Sequence, residues 1–199
     1  MSFPLGEILV ILVLTALVAG LFQFFPRQSA AWLTDPSPLA VDALTVTPYL
    51  GFHALESVFR AADASGRGVF VVVASSNDEG RVVQTAHTSS GESVEDWHFR
   101  QIAERNERGA GQLGTVGAVL GATRSNPRFP LEEMRGTFLV PGVGAQGATA
   151  SDVGRMFAKC PKGSVLVNVA RGVSSVGPER RALNVTARRL RDDLTEALL

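Results

Sequence analysis

The sequence predicts an α/β fold built on a parallel sheet. Three observations lead there. Short apolar runs rich in β-branched residues alternate with segments of helical periodicity, which is the pattern of repeated βα units. Five such units follow one another from Ala40 to the C-terminus. Each run ends in polar or glycine-rich residues, and in parallel α/β folds that edge of the sheet is where ligands bind.

The elements follow in order. Ala40–Val46 is strand-like and ends at Thr47-Pro48-Tyr49, after which Leu55, Val58, Phe59 and Ala62 recur at helical spacing. Gly68–Ala74 is a strand ending at Ser75-Ser76-Asn77. Val94–Arg105 reads as a helix with Val94, Trp97 and Ile102 on one face. Val116–Gly121 is a strand ending at Ala122-Thr123, and Leu131–Met134 a short helix. Thr137–Val140 is a strand leading into Pro141-Gly142-Val143-Gly144. Ala150–Ala158 is a helix with Ser151 in its cap region. Ser164–Val169 is the last strand, ending at Ala170-Arg171-Gly172, and Leu183, Ala187, Leu190, Leu194 and Leu198 mark the final helix.

Composition narrows the class. The chain has 199 residues, enough to bury roughly 70% of its unfolded surface but short of the about 250 residues of a full (β/α)8 barrel. Lys+Arg and Asp+Glu both number 19, so the charge balance argues against a nucleic-acid binder. A hydrophobic content of 45% argues against disorder. One cysteine, Cys160, excludes an internal disulfide, and His53, His87 and His98 are too scattered for a zinc motif, so no metal is expected. The histidines are expected at the surface, and Cys160 at a helix end.

Ile8 to Phe25 is a run without charge. Its length reaches the lower limit for a membrane-spanning helix, and Arg27 after it would put the bulk of the chain in the cytoplasm. Ile8–Leu14 equally fits a strand buried on both faces of a parallel sheet. Both readings stand on the sequence. A strand there would make a sixth unit.

The glycine-rich stretch Gly142-Val143-Gly144-Ala145-Gln146-Gly147 follows a strand, in the form of a dinucleotide fingerprint. The helix begins only after Thr149, and no acidic residue ends the next strand near Asn168, both contrary to that reading. The favoured reading is a phosphate cradle. Glycines admit an anion close to backbone N–H groups, Gln146 adds a donor, and Arg171 supplies a guanidinium at the next strand end. The plainer alternative is a turn beside a surface arginine. Ser75-Ser76-Asn77 carries hydroxyl and amide groups that can read a heterocycle, although a cap or Asx turn explains them more simply.

Taken together, Asp42-Ala43-Leu44-Thr45-Val46-Thr47-Pro48-Tyr49-Leu50-Gly51, Ser76-Asn77, Gly121-Ala122-Thr123, Pro141-Gly142-Val143-Gly144-Ala145-Gln146-Gly147 and Asn168-Val169-Ala170-Arg171-Gly172 resemble the orotidine 5′-phosphate decarboxylase family, in particular its longer bacterial subgroup. The resemblance runs from about Ala30 to the C-terminus. It implies a partial (β/α)8 TIM barrel, about strands three to eight, after an apolar N-terminal segment, with residues 1–29 divergent and 30–199 as the barrel domain. It further implies a cytoplasmic carboxy-lyase of pyrimidine biosynthesis, homodimeric when intact, that converts orotidine 5′-phosphate to UMP and CO2 without a cofactor. Gln146, Arg171, Gly144 and Gly172 look like phosphate-binding residues, Pro141 like the start of the closing loop, and Ser76 like the pyrimidine-reading serine. Asp78 stands where the subgroup often has proline.

The main departure concerns catalysis. The family carries Asp-x-Lys-x-x-Asp at the end of its third strand, where the lysine protonates the carbanion left by CO2. Counting back from Trp32 without gaps places that motif at Thr15–Gly20, with Leu17 in place of the lysine and Thr15 and Gly20 in place of the aspartates. None of these can donate or hold a proton at neutral pH. The expectation is a fragment, from a truncated or frame-disturbed gene, that binds orotidine 5′-phosphate or UMP and is weakly active or inactive. The alternative is a membrane-anchored, non-enzymatic nucleotide- or phosphate-binding protein, held by Ile8 to Phe25 as a single-pass anchor.

Overall fold

The computed structural model describes residues 41–107, 113–124 and 127–199. The run Ile8–Phe25, the window Thr15–Gly20 and the boundary after residue 29 lie outside them. Among the described residues, no helix is long and apolar enough to cross a membrane.

Five parallel strands form one sheet: β1 (Ala43–Val46), β2 (Gly68–Ala74), β3 (Val116–Leu120), β4 (Phe138–Pro141) and β5 (Val165–Asn168). Their order in space is their order in the chain. A doubly wound sheet reverses its strand order at a switch point. Among the described residues this one does not, which speaks against the dinucleotide reading and fits an arc of a barrel. Helix α1 (Glu56–Ser65) joins β1 to β2. Helices α2 (Arg81–Gln84) and α3 (Val94–Asn106) join β2 to β3, and a 3-10 turn at Leu131–Met134 lies between β3 and β4. Helix α4 (Ala150–Met156) joins β4 to β5, and α5 (Arg171–Ser174) and α6 (Arg180–Leu198) follow β5.

Strand alternation divides the apolar residues between two faces. Val69, Val71, Val73, Val116, Ala118, Leu120, Phe138 and Val140 pack against the helices with Phe59, Phe99 and Ile102. Phe70, Val119 and Leu139 line the other face with Ala43, Val72 and Leu166. The fully buried rings of Phe59, Phe99 and Phe138 are each worth about 2–3 kcal/mol of transfer free energy. Gly117 makes room for Phe70, whose ring would lie 2.8 Å from a Cβ there.

Several expectations shift. The buried stripe of α3 is Phe99, Ile102, Ala103 and Asn106, spaced three and four apart. Trp97 is only partly buried at its margin, and Val94 is half-buried. The cap of α4 is Thr149 and not Ser151. Thr149 is extended, its hydroxyl accepts from the Asp152 N–H, and the Asp152 carboxylate accepts from the Thr149 N–H, a reciprocal capping box. His98 is buried, against the expectation that all three histidines lie at the surface. Its Nδ1 lies 2.8 Å from the Val94 carbonyl, which one turn of helix brings into reach, and Trp97 and Phe52 cover its ring. His53 and His87 are exposed as expected. Cys160 packs against the core just beyond α4, and burial pushes its thiol up to about 11.

Buried Asn106 ties α3 to the sheet. Its Nδ2 donates to the Val116 carbonyl (2.8 Å) and the Met134 carbonyl (3.1 Å). The β3–β4 register begins only at Ala118 opposite Phe138. The carboxamide therefore satisfies a β3 carbonyl below the point where that register starts.

Candidate functional site

The site lies along the edge where the strands end. The β2–β3 register shifts between Val72 and Ala74. This irregularity bends the end of β2, as bulges beside functional sites do. The chain then leaves through Ser75, Ser76 and Asn77 and turns into a 3-10 segment at Asp78–Gly80. Asp78 opens that segment and pairs with Arg81 at 3.1 Å. Asn77 makes no side-chain cap and instead donates to Glu79, so the plain cap explanation does not hold for this turn.

Ser76 is fixed from several sides. Its hydroxyl donates to Gln146 Oε1 at 2.7 Å. Its carbonyl accepts from Thr123 Oγ1 at 3.1 Å. Gly121 lies directly beneath it, where a Cβ would come within 2.6 Å of Ser76 N and 2.7 Å of Ser76 Cα. A side chain at position 121 would displace the serine backbone.

The loop after β4 is closed on itself. Pro141 ends the strand opposite Asn168, and its carbonyl accepts from the Ala122 N–H at 2.7 Å. Gly142 and Gly144 have φ of +108° and +80°, which side chains rarely adopt. Gly144 N donates to the Ala148 carbonyl at 2.9 Å, and Ala148 N to the Gly142 carbonyl at 3.3 Å. The Gly144 N–H is thus used within the loop. The φ of +80° is what calls for glycine there, and the Gly172 Cα lies 3.7 Å from where a Cβ would be, an ordinary packing distance. Gln146 is exposed at the loop tip.

Arg171 begins α5, directly after β5, with Gly172 next to it. The first N–H groups of a helix have no partner within it. Arg171 is exposed and makes no side-chain hydrogen bond or ion pair among the described residues. The structure thus joins Ser76 to Gln146 directly and brings Gly144 against Gly172. Pro141 sits between the β3 and β5 ends, and Arg171 stands free at the same edge.

Three contributors escaped the sequence reading. Thr123 and Gly121 were visible only as parts of a motif. Gln84 carried no signal, because a glutamine on a four-residue helix reads as surface. Beside the site, Arg124 is buried against Glu95 at 2.5 Å, and the Asp96 carboxylate accepts from the Phe129 N–H at 3.0 Å. Adjacent acids at the start of α3 thereby hold the chain that leaves β3.

A single-wound parallel arc of βα units, with a glycine loop and an arginine at the ends of its last two strands, defines a partial (β/α) barrel protein. The chain belongs to the Orotidine 5′-phosphate decarboxylase / HUMPS family, which it matches over residues 30–184. It is 43% identical over 153 residues to the orotidine 5′-phosphate decarboxylase of Corynebacterium glutamicum (strain R), covering 76% of this chain and 54% of that protein. Its identity to the Salinispora arenicola enzyme is 42% over 170 residues, covering 85% of this chain and 60% of that one. The chain therefore spans a little over half the length of these curated relatives. A Streptomyces avermitilis structure assigned as an orotidine 5′-phosphate decarboxylase superposes with TM-score 0.77 at 38% identity, over 86% of this chain and 60% of that one. The fold also matches the Methanocaldococcus jannaschii enzyme, solved with the inhibitor BMP, with TM-score 0.61 at 17% identity over 85% of this chain and 68% of that one.

Proposed function

We propose that this chain binds a pyrimidine nucleoside 5′-phosphate, orotidine 5′-phosphate or UMP, across the C-terminal edge of its sheet, and that it decarboxylates orotidine 5′-phosphate weakly or not at all. The observation that carries the binding half is the Ser76–Gln146 hydrogen bond. It couples the residue expected to read the pyrimidine directly to a residue expected to hold the phosphate. Arg171, exposed at the same edge, adds the cation.

The chemistry half rests on lysine. The chain contains two lysines, Lys159 and Lys162. Both lie between α4 and β5, at the end of the strand opposite the site, and both are exposed. Lys159 is 82% exposed, with Glu132 as its nearest acid at 4.0 Å. Neither stands where a proton could reach a nucleotide at the strand ends. The pattern Asp-x-Lys-x-x-Asp occurs nowhere in the 199 residues. Binding energy from phosphate and base accelerates a reaction only if the transition state is also stabilised at the reacting carbon.

We further infer a barrel domain over residues 30–199, pairing of two copies, and a cytoplasmic location, all on the family resemblance. The test is direct. Orotidine 5′-phosphate is incubated with the purified chain and UMP is measured, while UMP binding is followed by calorimetry. Saturable UMP binding with little or no turnover is the expected result. Robust turnover overturns the argument from lysine, and absence of any UMP binding overturns the site.

A further inference from the structure

We propose that Gln84 is a positioning residue that sets the pyrimidine specificity of the site by locking Ser75, and through it Ser76, at the end of β2. The inference rests on the reading of Ser76 as the base-facing serine. Helix α2 is only four residues long, and Arg81, Val82 and Val83 point to solvent. Gln84 alone in that helix turns inward. Its carboxamide meets Ser75 twice: Oε1 accepts from the Ser75 N–H at 3.2 Å, and Nε2 donates to Ser75 Oγ at 2.8 Å. A primary amide has a donor and an acceptor on one planar group, so it fixes both the backbone and the rotamer of its partner.

Gly80 shows how tight this clamp is. A Cβ there would lie 2.6 Å from Ser75 Oγ and 2.8 Å from Gln84 Nε2. The backbone of Gly80 is right-handed helical, with φ −64° and ψ −22°, so conformation does not demand glycine. The clamp does. On the other side of the same dipeptide, Thr123 and Gly121 fix Ser76, and the Ser76 hydroxyl reaches Gln146. With Ser75 released, the Ser76 backbone could rotate about its Thr123 tether and its hydroxyl would no longer be aimed. The loop after β4 also holds itself through the bonds between Gly142 and Ala148, and Ser76 reaches it through Gln146. Gln84 therefore acts first on the base end of the ligand, and on its phosphate end indirectly, through Ser76 and Gln146.

The experiment compares UMP with ribose 5-phosphate, which lacks the base, by calorimetry on the full chain, with Gln84→Met and Gly80→Ala as variants. Met keeps the volume of Gln84 without its hydrogen bonds, and Ala breaks the clamp from the opposite side. The expected result is UMP affinity weakened about tenfold in both variants, with ribose 5-phosphate affinity weakened less, by no more than about threefold. The side-chain amide resonance of Gln146 is followed in parallel, because it reports its bond to Ser76 without any ligand. A shift of that resonance in both variants supports the positioning role even if the wild-type chain binds neither ligand, an outcome that would overturn the nucleotide site alone. An unshifted resonance, unchanged UMP affinity, or equal loss of both ligands overturns the proposal.

Discussion

Ser76 Oγ donates to Gln146 Oε1 across 70 residues of sequence and 2.7 Å of space. One partner follows β2 and the other sits on the loop after β4, so the bond spans the intervening β3. This bond is a latch between two loops. Since both side chains are within reach of solvent, its strength depends on the geometry that holds each partner.

Replacing either partner tests the latch. Ser76→Ala and Gln146→Ala are each expected to weaken UMP binding about tenfold. The double variant is expected to lose less than the product of the two, leaving a coupling of about 1 kcal/mol. Calorimetric titration of the four proteins reads the cycle. Strict additivity would show that the bond is incidental to binding.

Arg171 separates phosphate from base. Arg171→Ala is expected to weaken UMP and ribose 5-phosphate equally, by about tenfold to a hundredfold for a lost charged contact. Uridine, which lacks the phosphate, is expected to bind both proteins alike. Arg171→Lys recovers part of the affinity, because an ammonium keeps the charge but not the two-pronged fork. The readout is a set of dissociation constants at fixed salt.

Asn106 is expected to matter for stability and not for ligand. Asn106→Leu leaves the Val116 and Met134 carbonyls without their donor in a buried site, at a loss of about 2–4 kcal/mol. Urea unfolding should show a lower midpoint with an unchanged slope.

His98 gives the fold a sensitivity to acid. Burial holds its imidazole below the ordinary 6.5, outweighing the Val94 carbonyl, which favours the protonated ring. The unfolded chain then binds the proton more readily than the native one. Stability contributed by the neutral ring is full above 6.5 and falls as pH drops from there towards the lowered native value. His98→Gln should flatten this part of the profile below pH 6.5, measured as the difference in urea midpoint between the two proteins.

Much of the fold was legible in the sequence, for reasons that particular elements show. Gly68–Ala74 shows its bounds in the sequence because a largely buried parallel strand is an unbroken apolar run. Leu131–Met134 was read equally well. The helix at residue 150 was placed correctly, but its cap was assigned two residues late, since a serine and a threonine look equivalent until the Asp152 carboxylate reaches back to one of them. His98 was misplaced because a single histidine among polar residues gives no sign of the aromatic cover that Phe52 supplies from another element.

The candidate site was legible where it was made of motif and invisible where it was made of support. Gln146, Arg171 and Ser76 stand out as polar groups at strand ends. Gly121 and Gln84 act by proximity, one by leaving a space under Ser76 and the other by filling a space beside Ser75. No linear spacing encodes either, because both depend on how far one strand end is bent over its neighbour.

The monotonic strand order has a consequence for how the protein acquires its structure. Every strand pairs with the one made just before or just after it, so each sheet contact closes a loop no longer than one βα unit. Loop-closure entropy then stays low at each step, and contact order stays modest for a parallel sheet. Such an arc can assemble progressively as it leaves the ribosome, each new unit docking on a completed edge. Neighbouring units then share most of the stabilising contacts, so losing a unit at either edge is expected to erode stability in steps.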